Sequence, residues 1–188
     1  AEAMRALERL DRALALRAQA ASLEADSVDA EFIRPLLDLM PFYPEMFQGA
    51  AFIPVEDVPR AESLLTSVDV DSILPIDTQL LWKSQTEAFQ GYQGRLLYVV
   101  ERRPQMTGAG VSSAVHRIGL DPARPNAAGV SFTLNAEGAR RFRRVTGSNV
   151  GRSLGIVLDE KVVSAPTIAD RIPQGRGQIT GNFTDQQA

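Results

Sequence analysis

Between Val130 and Val145 the spacing of apolar residues changes from every second position to every third or fourth, and the change falls at one residue, Asn135. Val130-Ser131-Phe132-Thr133-Leu134 alternates strictly, which gives a strand with one apolar face. Beyond Asn135, Ala139, Phe142 and Val145 point one way at about 100° per residue, while Arg140, Arg141 and Arg144 point nearly opposite. Asn135 has the side chain of a helix N-cap, because its oxygen can accept from a first-turn amide that lacks an intrahelical partner. A strand feeding a capped helix with a cationic outer face predicts helix packed on sheet.

Other segments in this half read as strands. Leu154 to Leu158 and Lys161 to Ala165 flank Asp159-Glu160, which predicts a tight hairpin ending at Pro166. A type I′ turn would hold both central residues at positive φ, and a non-glycine there costs on the order of 1 kcal/mol, so a three-residue turn stays open. Gly175-Arg176-Gly177 marks a turn before Gln178-Ile179-Thr180, and Ala114 to Ile118 has strand composition. Further upstream, Leu80-Leu81-Trp82-Lys83 and Arg95 to Glu101 read as neighbouring antiparallel strands with a loose, polar connection from Ser84 to Gly94. Thr184 and Gln187 have capping-box spacing.

The first part of the chain is helical in pattern. Met4, Leu7, Leu10, Leu14 and Ala18 form one face of a packing helix over residues 1–24, with Glu8 and Arg12 as an i,i+4 pair on the other side. A second helix is expected after Ser27 or Asp29, with Phe32, Leu36, Leu37 and Met40 along one face, Pro35 near its start, and Pro41-Phe42-Tyr43-Pro44 as its stop. Asp57-Val58-Pro59 predicts a capped helix of about ten residues, and Pro75 closes that region. Helices first and strands later, with one helix interleaved, predict an α+β fold. Its sheet is mainly antiparallel with helices packed on one face, behind a helix-rich N-terminal part.

Composition bounds the chemistry. A chain of 188 residues, 44% hydrophobic and 23% charged, is a soluble globular chain rather than a disordered one. Its longest apolar run, Leu96 to Val100, falls far short of the about 20 residues of a bilayer span. Ala1-Glu2 opens the chain with no initiator Met or apolar leader core, so it reads as excised from something longer. Charge is divided: residues 1–90 hold 16 acids and 7 bases, net −9, and residues 91–188 hold 7 acids and 13 bases, net +6.

No cysteine is present, which excludes disulfides, thiolate metal sites and cysteine nucleophiles. His116, the one histidine, has no acid near it in sequence and reads as a surface or structural residue. The acid pairs Glu56-Asp57, Asp69/Asp71 and Asp159-Glu160 have simpler roles as caps, turns or solvated faces. Gly175-x-Gly177 lacks the Gly-Lys-Ser/Thr of a P-loop. No catalytic, cofactor-binding or metal-binding residue is therefore assigned, no cofactor is expected, and an enzyme is not expected. Arg140, Arg141, Arg143 and Arg144 could form a phosphate or RNA stripe, but Phe142 falls on the opposite face and cannot stack a base beside them. What remains is backbone chemistry: a hairpin with an open edge can add an extended strand from another chain with little regard for its side chains.

Four ordered blocks carry a resemblance. They are Val130-Ser131-Phe132-Thr133-Leu134-Asn135-x-Glu137-Gly138-Ala139; Thr146-x-x-Asn149-Val150-Gly151; Ile156-Val157-Leu158-Asp159 with Val162-x-Ser164-Ala165-Pro166-x-Ile168; and Gln178-Ile179-Thr180-Gly181-Asn182-Phe183-Thr184 with Ala188. Together they resemble the SecD family of the bacterial Sec protein-export machinery. Leu97-Tyr98-Val99-Val100 and Thr107-Gly108-x-x-Val111-x-x-Ala114 fit more loosely. The matched part is similar to the head subdomain of the family's first periplasmic domain, which assigns residues 91–188 to the head and residues 1–90 to a variable, helix-rich insertion.

The resemblance implies a full-length protein of the cell inner membrane whose partners are SecF and the SecYEG channel, with this region periplasmic. It implies use of the proton gradient to complete translocation, and a mobile head that holds emerging, unfolded preprotein. The family's proton-carrying residues lie in membrane spans, so none is carried over, and the preprotein-contact residues stay unassigned. Two positions depart from the pattern: Glu160 stands where the turn glycine is usual, and Gln187 where a glutamate is usual. The resemblance places a base strand before residue 1 and a base helix after Ala188. The alternative left open is a phosphate or nucleic-acid binding module on the Arg140, Arg141 and Arg144 face.

Overall fold

The computed structural model describes residues 2–24, 34–42, 44–47, 49–120, 125–126 and 128–183. Among these residues the helices are α1 (Glu2–Glu24), α2 (Val58–Thr66), α3 (Val70–Ile73) and α4 (Ala136–Ser148). The strands are β1 (Ala51–Pro54), β2 (Thr78–Phe89), β3 (Tyr92–Glu101), β4 (Val111–Ile118), β5 (Ala128–Leu134), β6 (Ile156–Leu158), β7 (Lys161–Ser164) and β8 (Arg176–Phe183). The fold is α+β. Five strands lie in the order β1-β3-β2-β7-β6 and three in the order β4-β5-β8; β2 and β7 run parallel, through Lys83 and Val162, and the ladders β1–β3, β2–β3, β4–β5 and β5–β8 are antiparallel. Two compact units result, one of residues 1–102 with 157–163 and the other of residues 103–156 with 164–188.

In the first unit the alternation of β1 and β3 buries both faces of the sheet. Ala51, Ile53 and Leu97 face Leu7, Leu10 and Leu14 of α1, together with Ala61 of α2. Phe52 and Leu96 face the other way, into Phe42, Phe47, Phe89 and Tyr98. Phe42 meets Phe52, Phe89 and Tyr92 edge-on with ring centroids 5.0–5.5 Å apart, the arrangement that aromatic quadrupoles prefer. Gly94 is where Phe52 needs room, since a Cβ there would sit 2.2 Å from its ring.

The predicted first helix is present, although Glu8 and Arg12 are both exposed and form no ion pair. Three readings are corrected. The expected second helix is, among the described residues, only a 3-10 turn at Leu37–Leu39. The buried Asp11 carboxylate of α1 accepts from the amides of Leu36 and Leu37 at 2.8 and 3.0 Å, so those amides are held from outside rather than by a helix turn. Ser27, Asp29 and Phe32, proposed for that helix, lie outside the described residues.

Asp57 is no cap. The chain is already helical through the 3-10 turn Val55–Asp57 and runs straight into α2, so Asp57 has helical φ and ψ and makes no side-chain cap bond. The loose connection from Ser84 to Gly94 is instead continuous hairpin. β2 runs to Phe89 and turns through Gln90 (φ 47°) and Gly91 (φ 85°), with Phe89 paired to Tyr92. Positive φ at both central residues is the type I′ condition, and Gly91 meets it without strain. Residue 90, the sequence boundary between the two parts, is in this turn.

β2 leaves the β3 register between Trp82 and Thr86. There the Arg95 side chain donates to the Lys83 carbonyl at 2.9 Å, and its guanidinium lies 5.3 Å from the Trp82 ring centre. Lys83 also pairs with Glu87. Asp159 (φ 47°) and Glu160 (φ 60°) both take the left-handed conformation, so the hairpin β6–β7 closes on a two-residue turn despite having no glycine.

Candidate functional site

The second unit is built on β5. Its residues Ala128, Val130, Phe132 and Leu134 share the face that α4 covers, and Phe132 meets Phe142 of α4 edge-on, with ring centroids 5.8 Å apart. Asn135 caps α4 as its side chain predicts, its Oδ1 accepting from the Gly138 amide at 2.9 Å. The same side chain donates through Nδ2 to the Ala109 carbonyl at 2.8 Å, and the Asn135 amide donates to Gly110 at 3.0 Å. This draws the 3-10 turn Gly108–Gly110 onto the helix start so closely that a Cβ on Gly138 would sit 2.3 Å from the Gly110 carbonyl oxygen. One asparagine thus fixes the helix and the turn from which β4 departs.

Among the described residues β4 pairs only with β5 and forms one edge of its sheet. All eight of its residues are exposed, among them Val115 at 48% and Ile118 at 64%. An edge strand carries alternate amides and carbonyls with no strand partner. Natural edges are commonly protected by charged side chains, proline, bulges or shortness; β4 has no proline, a single charged residue, Arg117, near its C-terminal end, and one irregularity, at Ser112, at its N-terminal end. β6 is the corresponding edge of the five-stranded sheet, with Leu158 62% exposed, while Val162 of the neighbouring β7 is fully buried.

His116 stands on β4, exposed, opposite Val130. Arg140, Arg141, Arg143 and Arg144 are exposed, and Phe142 between them is 5% exposed and turned inward against Phe132. The stripe therefore has no ring of its own on which a base could stack. Asp71 pairs with Arg102 at 2.7 Å, Glu56 and Asp57 lie in the turn before α2, and Asp159 and Glu160 form the hairpin turn. Gly175 (φ 63°) makes the expected turn, and its carbonyl accepts from the Leu134 amide at 2.7 Å. Gly177 is already in β8, opposite Phe132. Among the described residues no group of three acids or histidines converges as a metal site, and no helix is long and apolar enough to cross a membrane. Thr184 and Gln187 lie outside the described residues.

The sequence reading named the hairpin β6–β7 as a strand-adding edge and missed the longer edge β4. What signal there was lay in composition: Val111, Val115 and Ile118 are β-branched, and the segment 111–118 holds no acidic residue.

These features define an α+β module with open antiparallel edges. Residues 83–188 match the family model described as the SecDF P1 head subdomain. The chain belongs to the SecD/SecDF family of protein translocase subunits. It is 35% identical over 161 residues to protein translocase subunit SecD of Rhodothermus marinus, covering 82% of this chain and 25% of that protein. It is 39% identical over 140 residues to SecD of Aquifex aeolicus, covering 70% and 27%. The chain thus spans about a quarter of the length of these curated relatives. A solved structure described as a membrane component SecDF that enhances protein export aligns over 45% of this chain and 37% of that one, at 32% identity and a TM-score of 0.40.

Proposed function

We propose that this chain is the extracytoplasmic head region of a SecD-type subunit and serves protein export by transient contact with unfolded preprotein. In this reading residues 91–188 are the head and residues 1–90 a variable insertion. The whole subunit sits in the cell inner membrane with SecF and SecYEG, and the proton gradient is used by its membrane part. The chain itself carries no catalytic centre. Binding would be weak, because ordering an unfolded segment offsets much of the contact free energy.

The observation that supports this reading best is β4, an eight-residue, fully exposed edge inside the family-matched stretch. A translocation partner must accept many sequences, and main-chain hydrogen bonding along an edge does so. The test is site-specific photocrosslinking in the intact export complex, with the probe at Val115 or Ile118 of β4 or at Leu158 of β6. Adducts to a stalled secretory chain are expected. Active translocation without adducts at any of the three positions would refute the reading.

A further inference from the structure

The outer face of α4 holds more positive charge than the helix itself accounts for. Arginine near a helix C-terminus is favoured by the macrodipole, yet the last turn of α4 has no basic residue; Arg140, Arg141, Arg143 and Arg144 lie in its middle. All four are exposed: Arg140 and Arg144 lie opposite the buried Gly138, Phe142 and Thr146, and Arg141 and Arg143 flank them on either side.

A fifth arginine reaches the same arc from another part of the chain. Thr146, fully buried, donates through Oγ1 to the Phe142 carbonyl at 2.8 Å and accepts from the Ile172 amide at 3.0 Å, which fastens residues 171–172 to the helix. Gly147 then leaves room for the stem of Arg171, whose Cδ and Cγ would be 3.2 and 3.4 Å from a Cβ at that position. By helical angle, residue 147 lies between residues 140, 143 and 144. None of these five guanidiniums forms an ion pair with any described residue. Glu137, the one acid of α4, is in the first turn, where the dipole favours it.

We propose that Arg140, Arg141, Arg143, Arg144 and Arg171 form a docking surface for the phosphodiester headgroups of an anionic bilayer. The arc is a convex helix face with no ring beside its guanidiniums among the described residues, which suits a plane of phosphates better than a stacked base. Guanidinium forks bind phosphate oxygens in pairs, and each cation near an anionic leaflet strengthens attraction independently. The surface goes beyond preprotein contact and uses the opposite chemistry, charge rather than backbone pairing. It rests on the export reading only for the nearness of a bilayer.

The test is co-sedimentation of the 188-residue chain with vesicles of phosphatidylcholine alone or mixed equally with phosphatidylglycerol, in low salt. Binding is expected only to the mixed vesicles, and its loss is expected in about 1 M salt, where the screening length falls to about 3 Å. Arg140→Gln/Arg144→Gln/Arg171→Gln should weaken it by roughly a hundredfold and Arg171→Gln alone by roughly fivefold. Arg5→Gln/Arg9→Gln/Arg12→Gln, on the exposed side of α1, removes the same charge elsewhere and should change binding by less than about twofold. Equal loss in both triple variants would overturn the proposal by reducing it to net charge. So would binding to neutral vesicles, or binding to a single-stranded oligonucleotide without binding to mixed vesicles. Because these variants leave β4 intact, failure here is separable from failure of the preprotein reading.

Discussion

Phe142 of α4 and Phe132 of β5 meet at 86° with ring centroids 5.8 Å apart, and this contact decides which way every arginine of the helix faces. With Phe142 inward, Arg140 and Arg144 fall on the opposite side of the helix and Arg141 and Arg143 on its flanks, and all four are exposed. The contact makes the helix–sheet interface of the second unit and its cationic surface two consequences of one packing choice. Phe142→Ala should remove about 3–5 kcal/mol from the stability of that unit, read as lost hydrogen-exchange protection of α4 amides. Unchanged protection would mean that the ring is not a core element.

Asn135 carries two separable jobs. Asn135→Ala removes the bond from the Gly138 amide and the bond to the Ala109 carbonyl, and should cost about 1–2 kcal/mol. Asn135→Asp keeps the acceptor and loses the donor, so urea denaturation should place it between wild type and alanine. An aspartate variant as unstable as alanine would assign the effect to the 108–110 turn rather than to the cap.

The strand, the cap and α4 were legible in sequence because each is specified by neighbours within a few positions. So was the hairpin β6–β7, whose two runs flank a two-residue gap. The antiparallel pairing of β2 with β3 was legible as well, but not its extent, because Ser84 to Gln90 reads as polar when judged alone, yet pairs along β3 from Thr86 to Phe89. The sharper signal was local after all, the Gln90-Gly91 turn between Phe89 and Tyr92. Asp11, buried and bonded to amides 25 and 26 residues away, and Arg171, brought to Gly147 by a bond across 26 residues, depend on tertiary contacts that no local pattern encodes.

Asp11→Ala should be costly for that reason. It strands the Leu36 and Leu37 amides against the middle of α1, at about 1–3 kcal/mol for each that finds no water. Asp11→Asn retains an acceptor oxygen and should recover most of the loss in thermal denaturation. Equal destabilisation by both would show that the carboxylate charge, not the acceptor, is what the turn requires.

The turn of β6–β7 is strained in a correctable way. Glu160 at φ 60° occupies a conformation that glycine takes freely, so Glu160→Gly should stabilise the hairpin by about 1 kcal/mol. A higher urea midpoint at unchanged m-value is expected. A lower midpoint would indicate that the Glu160 side chain contributes more than its backbone costs.

Tyr98 supplies a pH dependence. Burial, and secondarily the charge of Glu87, push its phenol up from 10.0 to about 12. The native state therefore holds the phenol proton more tightly than the unfolded chain does. The stability linked to it is complete below pH 10 and is lost as pH rises toward 12. Tyr98→Phe should flatten that part of the stability profile relative to wild type. Parallel profiles for the two proteins would contradict the assignment.

The most direct measurement is titration of the isotopically labelled chain with an unfolded preprotein segment, following backbone amide shifts. The account predicts weak, saturable shifts concentrated in residues 111–118 and 154–165, with little dependence on which segment is used. Shifts confined to α4, or none at high concentration, would contradict it.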